Sequence, residues 1–272
     1  MPKSLTVEQV EKFHRDGFAS PMTALSAHEA AAAANRLERY EADTGKSAMD
    51  TLTFKGHMPF SLYCDMIRNP RILDALEDVV GPNIVCWGSS FFVKEPKSES
   101  FISWHADTYY YGLLPQETVT AWVAFTPANR VSGCIRVIPG SHLTNDGFEE
   151  TPLENNILRR GQTTRNVDES KAVFMPLEPG QFSMHHECVV HSSEPNRSDH
   201  RRIGYAIHYC ATSVYQDKYK TGDGRPTAAL VRGVDEFGHW QHEARTEVDF
   251  DPTIWEWAEE QRHNFFARGR DR

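Results

Sequence analysis

A mainly β fold with flanking helices is predicted by three observations. Seven short runs rich in β-branched and aromatic residues occupy the chain between Asn83 and Thr212. They are bounded by Pro, Gly, Asn and Asp, with no amphipathic helix between them, which is the pattern of a sandwich or barrel. The segment before Pro82 instead carries helix start and stop signals.

In chain order, Thr6 to Gln9 and Ser26 to Glu29 both match the capping box, where a hydroxyl and a later carboxyl or amide satisfy orphan N–H groups. The alanine run "HEAAAAAN" adds strong helix formers after the second box. Asn69-Pro70 opens a third helix, "PRILDALEDVV", which Gly81-Pro82 closes. The strand runs follow as "NIVCWGSSFFVKE", "ESFISWHAD", "TVTAWVAFTP", "GCIRVIP", "AVFMPL", "GQFSMHHECVVHS" and "RRIGYAIHYCAT". Between them, the polar stretch 143–170 has no clear period and is long for a plain connection, as lids and binding segments often are. A last helix, "PTIWEWAEEQRHNFF", is expected to pack its Trp and Phe residues on the sheet. No composition break marks a linker, so one domain is expected over 1–272: a mainly helical N-terminal region (1–82), a β core (83–213) and a C-terminal extension with a helix (214–272).

Composition narrows the function class. The chain has 272 residues, 39% hydrophobic and 25% charged, with 29 Lys plus Arg against 38 Asp plus Glu. The net charge of -9 is broken only by the tail "ARGRDR", so nucleic acid is not an expected partner. Five scattered cysteines, Cys64, Cys86, Cys134, Cys188 and Cys210, never form CxxC, which argues against a disulfide scaffold and for a reducing compartment. "MPKSLTVEQVEKF" has no apolar h-region and no window reaches a membrane span, so a cytoplasmic chain without membrane contact is expected, monomeric or homodimeric.

The chemistry starts at "SWHADTYYYG", Ser103 to Gly112. On a strand, His105 and Asp107 would share a face and suit two cis ligands of one metal ion, although a solvent-facing polar pair has the same pattern. His191 follows the apolar run "CVV" at the end of a strand. Two imidazoles and a carboxylate leave open positions that suit non-heme Fe(II). Arg202, eleven residues later, offers a permanent bidentate fork for the carboxylate of a chelating co-substrate. His185 and His186 compete as the distal ligand, but neighbours on a strand cannot both face inward. Arg201 competes with Arg202 on the same ground.

These residues, in this order, resemble the phytanoyl-CoA dioxygenase family of Fe(II)/2-oxoglutarate oxygenases. The segment "SGCIRVIPGSH", Ser132 to His142, is similar to that family's (N/G)GxxxxxPGSH motif, and "LTVEQVEKFHRDGF" to its N-terminal helix. The resemblance implies a double-stranded β-helix core, jelly-roll and cupin-like. It implies Fe(II) on His105, Asp107 and His191, with 2-oxoglutarate on Arg202. It further implies support for that co-substrate from Ser193, an aromatic beside it at Trp122, and a contact from Lys94. Gly204 stands where relatives place a polar contact and Ser132 where Asn is frequent. Relatives that halogenate have Ala or Gly at the position of Asp107, so the carboxylate implies hydroxylation or another oxidation; the hydroxylation expected uses O2 and releases succinate and CO2.

The expected substrate is a small polar metabolite: an amino acid, amine, aminophosphonate or secondary-metabolite scaffold. Tyr109, Tyr111 and Arg136 are its candidate contacts; strand alternation turns Tyr110 away from its neighbours, and a salt-bridged surface role competes for Arg136. His142 is read as a turn stabiliser and His208 as a packed histidine. A non-catalytic cupin-like metal-binding or sensor protein is the alternative, and a zinc hydrolase is a third reading; neither needs the Arg202 anchor.

Overall fold

Both capping boxes form. Gln9 donates its backbone N–H to Thr6 Oγ1 at 3.1 Å while Gln9 Oε1 accepts from the Thr6 N–H at 2.7 Å, and Ser26 and Glu29 repeat the exchange. Asn69 Oδ1 accepts from the Arg71 N–H at 2.9 Å, with Pro70 in the first helical position. The computed structural model describes residues 2–144, 147–158, 160–216 and 225–267.

The helices are α1 (Val7–Asp16), α2 (Ala27–Thr44), α3 (Ala48–Thr51), α4 (Ser61–Met66), α5 (Pro70–Val80), α6 (Thr108–Tyr111) and α7 (Pro252–Ala267). The strands are β1 (Phe18–Thr23), β2 (Ile84–Lys94), β3 (Ile102–His105), β4 (Leu113–Leu114), β5 (Val119–Ala124), β6 (Ile135–Val137), β7 (Phe148–Glu150) and β8 (Gln162–Thr164). They continue as β9 (Val173–Met175), β10 (Gln181–His186), β11 (His191–Ser193), β12 (Arg202–Ala211), β13 (Tyr215–Gln216), β14 (Thr227–Arg232) and β15 (Gln241–His242). A large sheet runs β1-β10-β5-β12-β2-β14-β15 and a small one β3-β11-β6-β9. These two sheets form the jelly-roll core.

Every predicted strand run contains a strand, with two differences of consequence. "GQFSMHHECVVHS" splits at Glu187–Val190 into β10 of the large sheet and β11 of the small one, and the Val189 N–H donates to His186 O at 2.9 Å in the turn. "TYYY" is not a strand continuing from His105: Thr108–Tyr111 is one helical turn, with Asp107 as its N-cap and Gly112 closing it at φ 65°. The tyrosines therefore follow helical geometry, not strand alternation; the Tyr110 side chain lies outside the described residues. β1 was not anticipated, because Pro21 interrupts it; Pro is tolerated there because β1 is an edge strand. The stretch 143–170 contains the β7–β8 hairpin, with Phe148 opposite Thr164.

Strand alternation divides the large sheet into two faces. On β12, Ile203, Tyr205, Ile207 and Tyr209 join the main core, together with Leu37, Tyr40, Phe60 and Tyr63 from the helices. Arg202, Ala206 and His208 take the other face, which looks into a cavity of about 470 Å³. In register, His185, Thr120, His208 and Gly88 form one transverse row across β10, β5, β12 and β2. That row is the floor on which the site is built.

Candidate metal centre

His105 ends β3 and His191 begins β11, and antiparallel pairing sets them directly opposite one another. Their ring centroids are 4.1 Å apart. Each imidazole is oriented by its own strand: His105 Nδ1 lies 2.9 Å from Ser103 O, and His191 Nδ1 lies 3.0 Å from Val189 O. Because a carbonyl only accepts, both Nδ1 atoms carry the proton, and each Nε2 presents a lone pair to the interior. Second-partner orientation of this kind is what metal-ligating histidines need.

Asp107 reaches the same point from the turn after β3. Its backbone is αR at φ -64° and ψ -35°, and its carboxylate makes no capping hydrogen bond, so the side chain is free to face the histidines. Asp107 Oδ1 lies 3.4 Å from His105 Nε2 and 3.9 Å from His191 Nε2. One donor atom from each of the three residues falls within a 4.8 Å sphere of mutual distances. Burial opposes the charge on Asp107, but His191, His105 and His185 hold its carboxyl well below the usual range. Burial, with His105 and His185 beside it, pushes His191 well below its ordinary value and keeps it neutral. Two imidazoles and a carboxylate are a donor set that suits a divalent ion. The residues present therefore fit an Fe(II) ion.

Arg202 lines the same cavity. It is 1% exposed, and Nε and Nη2 are buried without a partner among the described residues. Burial pulls its pKa down to about 10, leaving it a cation. A buried, unpaired guanidinium is costly unless an anion joins it, so these open donors fit the far carboxylate of 2-oxoglutarate. Arg201 faces the opposite way and donates to Glu41 and Glu95. The Arg202 Cζ sits 5.3 Å from the Trp122 ring centroid. Gly204 makes that seat possible, since a Cβ there would lie 1.8 Å from Trp122 Cζ2. Where a polar contact was expected, the indole fills the space.

The other candidates separate. Ser193 lines the cavity and is buried. Lys94 is not on the lining: its Nζ lies 2.6 Å from Ser193 Oγ and contacts the carbonyls of Ser193 and Glu194, so it fixes Ser193 from behind, where a contact with the co-substrate itself was expected. Burial, with Arg202 adjacent, pulls Lys94 down to about 6. Arg136 also turns away, donating to Ser192 Oγ at 2.8 Å and Glu194 at 2.9 Å, with its guanidinium over Trp104. Its alternation with Ile135 and Val137 puts the isoleucine, not the arginine, on the cavity. Tyr111 lines the cavity, whereas Tyr109 stacks on Phe148 at 4.0 Å outside it.

His142 Nε2 lies 3.0 Å from His14 O, a structural tie. Ser132 Oγ accepts from the Asn129 N–H at 2.9 Å and donates to Pro127 O at 2.9 Å, holding the turn before β6. His186 faces away from the triad. His185 faces it, with Nε2 3.7 Å from Asp107 Oδ2, and neither ring nitrogen has a hydrogen-bond partner among the described residues. Thr120, Phe54, Trp87 and Phe265 also line the cavity and were not anticipated, and His208, read as packed, lines it as well. Thr120 was accessible to the alternation rule, two residues before Trp122. Phe54 and Phe265 carry no local signal.

The sequence profile of the phytanoyl-CoA dioxygenase family matches residues 13–204. A phytanoyl-CoA dioxygenase domain-containing protein 1 homolog of Caenorhabditis briggsae is 30% identical over 127 residues, 44% of this chain and 44% of its own. The peroxisomal phytanoyl-CoA dioxygenase of Rattus norvegicus is 25% identical over 197 residues, 70% of this chain and 56% of its own. The chain thus spans about half the length of the curated relatives it matches. A solved structure titled non-heme monooxygenase ThoJ, apo, has a TM-score of 0.83 at 29% identity, covering 97% of this chain and 100% of that one. CytC3 with Fe(II) and alpha-ketoglutarate shares the fold at a TM-score of 0.68 and 23% identity, covering 92% of this chain and 97% of that one.

Proposed function

The chain belongs to the phytanoyl-CoA dioxygenase family, and from that premise we propose that it is an Fe(II)- and 2-oxoglutarate-dependent oxygenase that hydroxylates a C–H bond of a small molecule. His105 Nε2, Asp107 Oδ1 and His191 Nε2 hold the metal. Arg202 holds the far carboxylate of 2-oxoglutarate, with Ser193, itself fixed by Lys94, offering a hydroxyl nearby and Trp122 forming the surface beneath. Bound there, iron with 2-oxoglutarate and O2 supplies the oxidising chemistry, releasing succinate and CO2 and transferring one oxygen atom to the substrate. The chain's own contribution is positional. The two backbone carbonyls keep both imidazoles in the ligating tautomer, and the large sheet forms the floor of the cavity beneath them. Asp107 fills a position that a smaller residue would leave open, which favours hydroxylation.

One observation carries this reading: a buried guanidinium with unpaired donors shares a cavity with a His–Asp–His set. The test is anaerobic titration with Fe(II) and 2-oxoglutarate, followed by visible absorption, then succinate release in air. Wild type is expected to develop the charge-transfer band. Arg202→Ala is expected to weaken 2-oxoglutarate about a hundredfold, the loss of two charge-assisted hydrogen bonds. Asp107→Ala is expected to abolish hydroxylation, and its full retention would overturn the assignment of the third ligand.

A further inference from the structure

Of the residues that suggested a polar substrate, Tyr111 faces the cavity, and Lys94 and Arg136 do not. Lys94 and Arg136 both spend their donors elsewhere. Among the described residues, the charged side chains on the cavity wall are Asp107, Arg202 and Arg160. The first two are committed to metal and co-substrate, and Arg160 lies beside β8, 3.8 Å from Glu150.

What remains is one aromatic wall assembled from distant segments. Trp87 of β2 meets Tyr111 of α6 edge-on, with ring centroids 4.5 Å apart. Phe54 lies 6.1 Å from Trp87 and stacks on Phe265 of α7 at 4.2 Å. Ile157 and Leu158 add aliphatic surface from the approach to β8. Beside these rings Tyr111 and His208 offer polar atoms, with Oη and Nδ1 3.3 Å apart, and Trp87 Nε1 has no hydrogen-bond partner among the described residues. The buried ammonium of Lys55 lies 5.2 Å from the Phe54 ring centroid, so the negative face of that ring already serves a cation. A charged ligand against these four rings would give up hydration with no opposite charge on the wall itself to replace it.

Resting on the oxygenase reading, we propose that the substrate is an uncharged hydrophobic ring compound, seated against Phe54, Trp87, Tyr111 and Phe265, with one hydrogen-bonding group toward Tyr111 or His208. Aromatic faces favour offset or edge contact with another ring, and an apolar-lined cleft of this size is the usual form of a small-molecule site. The wall selects for shape and apolar surface.

The probe is 1-naphthol, with 1-naphthoate, choline and glutamine as comparators. Binding to the full chain, loaded anaerobically with Fe(II) and 2-oxoglutarate, is followed by tryptophan fluorescence. Saturable quenching by 1-naphthol is expected, at least tenfold tighter than by 1-naphthoate, with none from choline or glutamine. Phe265→Ala and Phe54→Leu are each expected to weaken 1-naphthol tenfold or more while the visible Fe(II)–2-oxoglutarate band persists, which shows the variants folded. Saturation by choline or glutamine without 1-naphthol, or 1-naphthol binding unchanged in both folded variants, would overturn the proposal. Absence of the visible band in wild type with 1-naphthol binding intact would instead overturn the oxygenase reading and leave the ring site standing.

Discussion

Asp107 gives its two oxygens different work. Oδ1 faces the two Nε2 atoms, and Oδ2 faces the transverse row of the large sheet: Thr120 Oγ1 donates to it at 3.4 Å. The same hydroxyl lies 2.9 Å from His208 Nδ1, so Thr120 links His208 to the outer oxygen of the ligand. Groups that hold a ligating carboxylate in this way typically matter ten- to a hundredfold in metal affinity. Thr120→Val, which keeps the shape and removes the hydroxyl, is expected to weaken Co(II) or Fe(II) binding by about tenfold or more in a competitive titration. Thr120→Ser is expected to restore it, a recovery that a packing role would not produce. Equal affinity in Thr120→Val and wild type would show that Oδ2 is held by other means.

At the scale of the element, β12 shows how sequence sets a site. Its alternation sends Ile203, Tyr205, Ile207 and Tyr209 to the core and Arg202 to the cavity, and that much is legible from periodicity alone. Gly204 is legible only as a missing side chain; its reason is the indole that lies across it. Adding a methyl there forces overpacking, at a cost of about 1–3 kcal/mol or more. Gly204→Ala is expected to lower the urea midpoint and raise the 2-oxoglutarate KM, because Arg202 rests over Trp122. Trp122→Phe, a smaller ring, is expected to recover stability in the double variant by more than additivity allows. Additive effects would place the clash elsewhere. Other elements were hidden for physical reasons. Three tyrosines have strand propensity, yet Asp107 before them and Gly112 after them are the start and stop signals of a helical turn. The β10–β11 break has no Gly or Pro, and "CVV" continues the strand texture through it. His185 could be assigned to the site only once β10 and β11 were known to belong to different sheets.

Across the whole molecule, a buried ion pair ties the three regions of the chain together behind the aromatic wall. Lys55, from the segment after α3, donates to Trp87 O at 2.6 Å, Thr227 O at 2.8 Å and the Glu243 carboxylate, and no member of this cluster is more than 7% exposed. His57 completes it: the Ser89 hydroxyl accepts from the His57 N–H, so its proton goes to Nδ1, and Nε2–H donates to Glu243 at 2.8 Å. Burial alone would raise the Glu243 pKa, but Lys55 and His57 hold it at about 2. Burial pushes His57 below its ordinary 6.5 despite Glu243, so it folds as the neutral ring. Both groups bind protons more readily in the unfolded chain. The stability they confer is therefore present above the unfolded values and falls as pH drops, first below 6.5 through His57 and then from 4.5 toward 2 through Glu243. For Glu243, a drop from 4.5 to about 2 corresponds to about 3 kcal/mol. Unfolding free energy of wild type is expected to decline over that range more steeply than that of Lys55→Met/Glu243→Gln, which keeps an acceptor for His57 and removes both charges. The two urea-derived curves should converge by about 3 kcal/mol between pH 4.5 and 2. Parallel curves would assign the acid sensitivity to the surface carboxylates, and the wall behind the cavity would then owe its placement to packing alone.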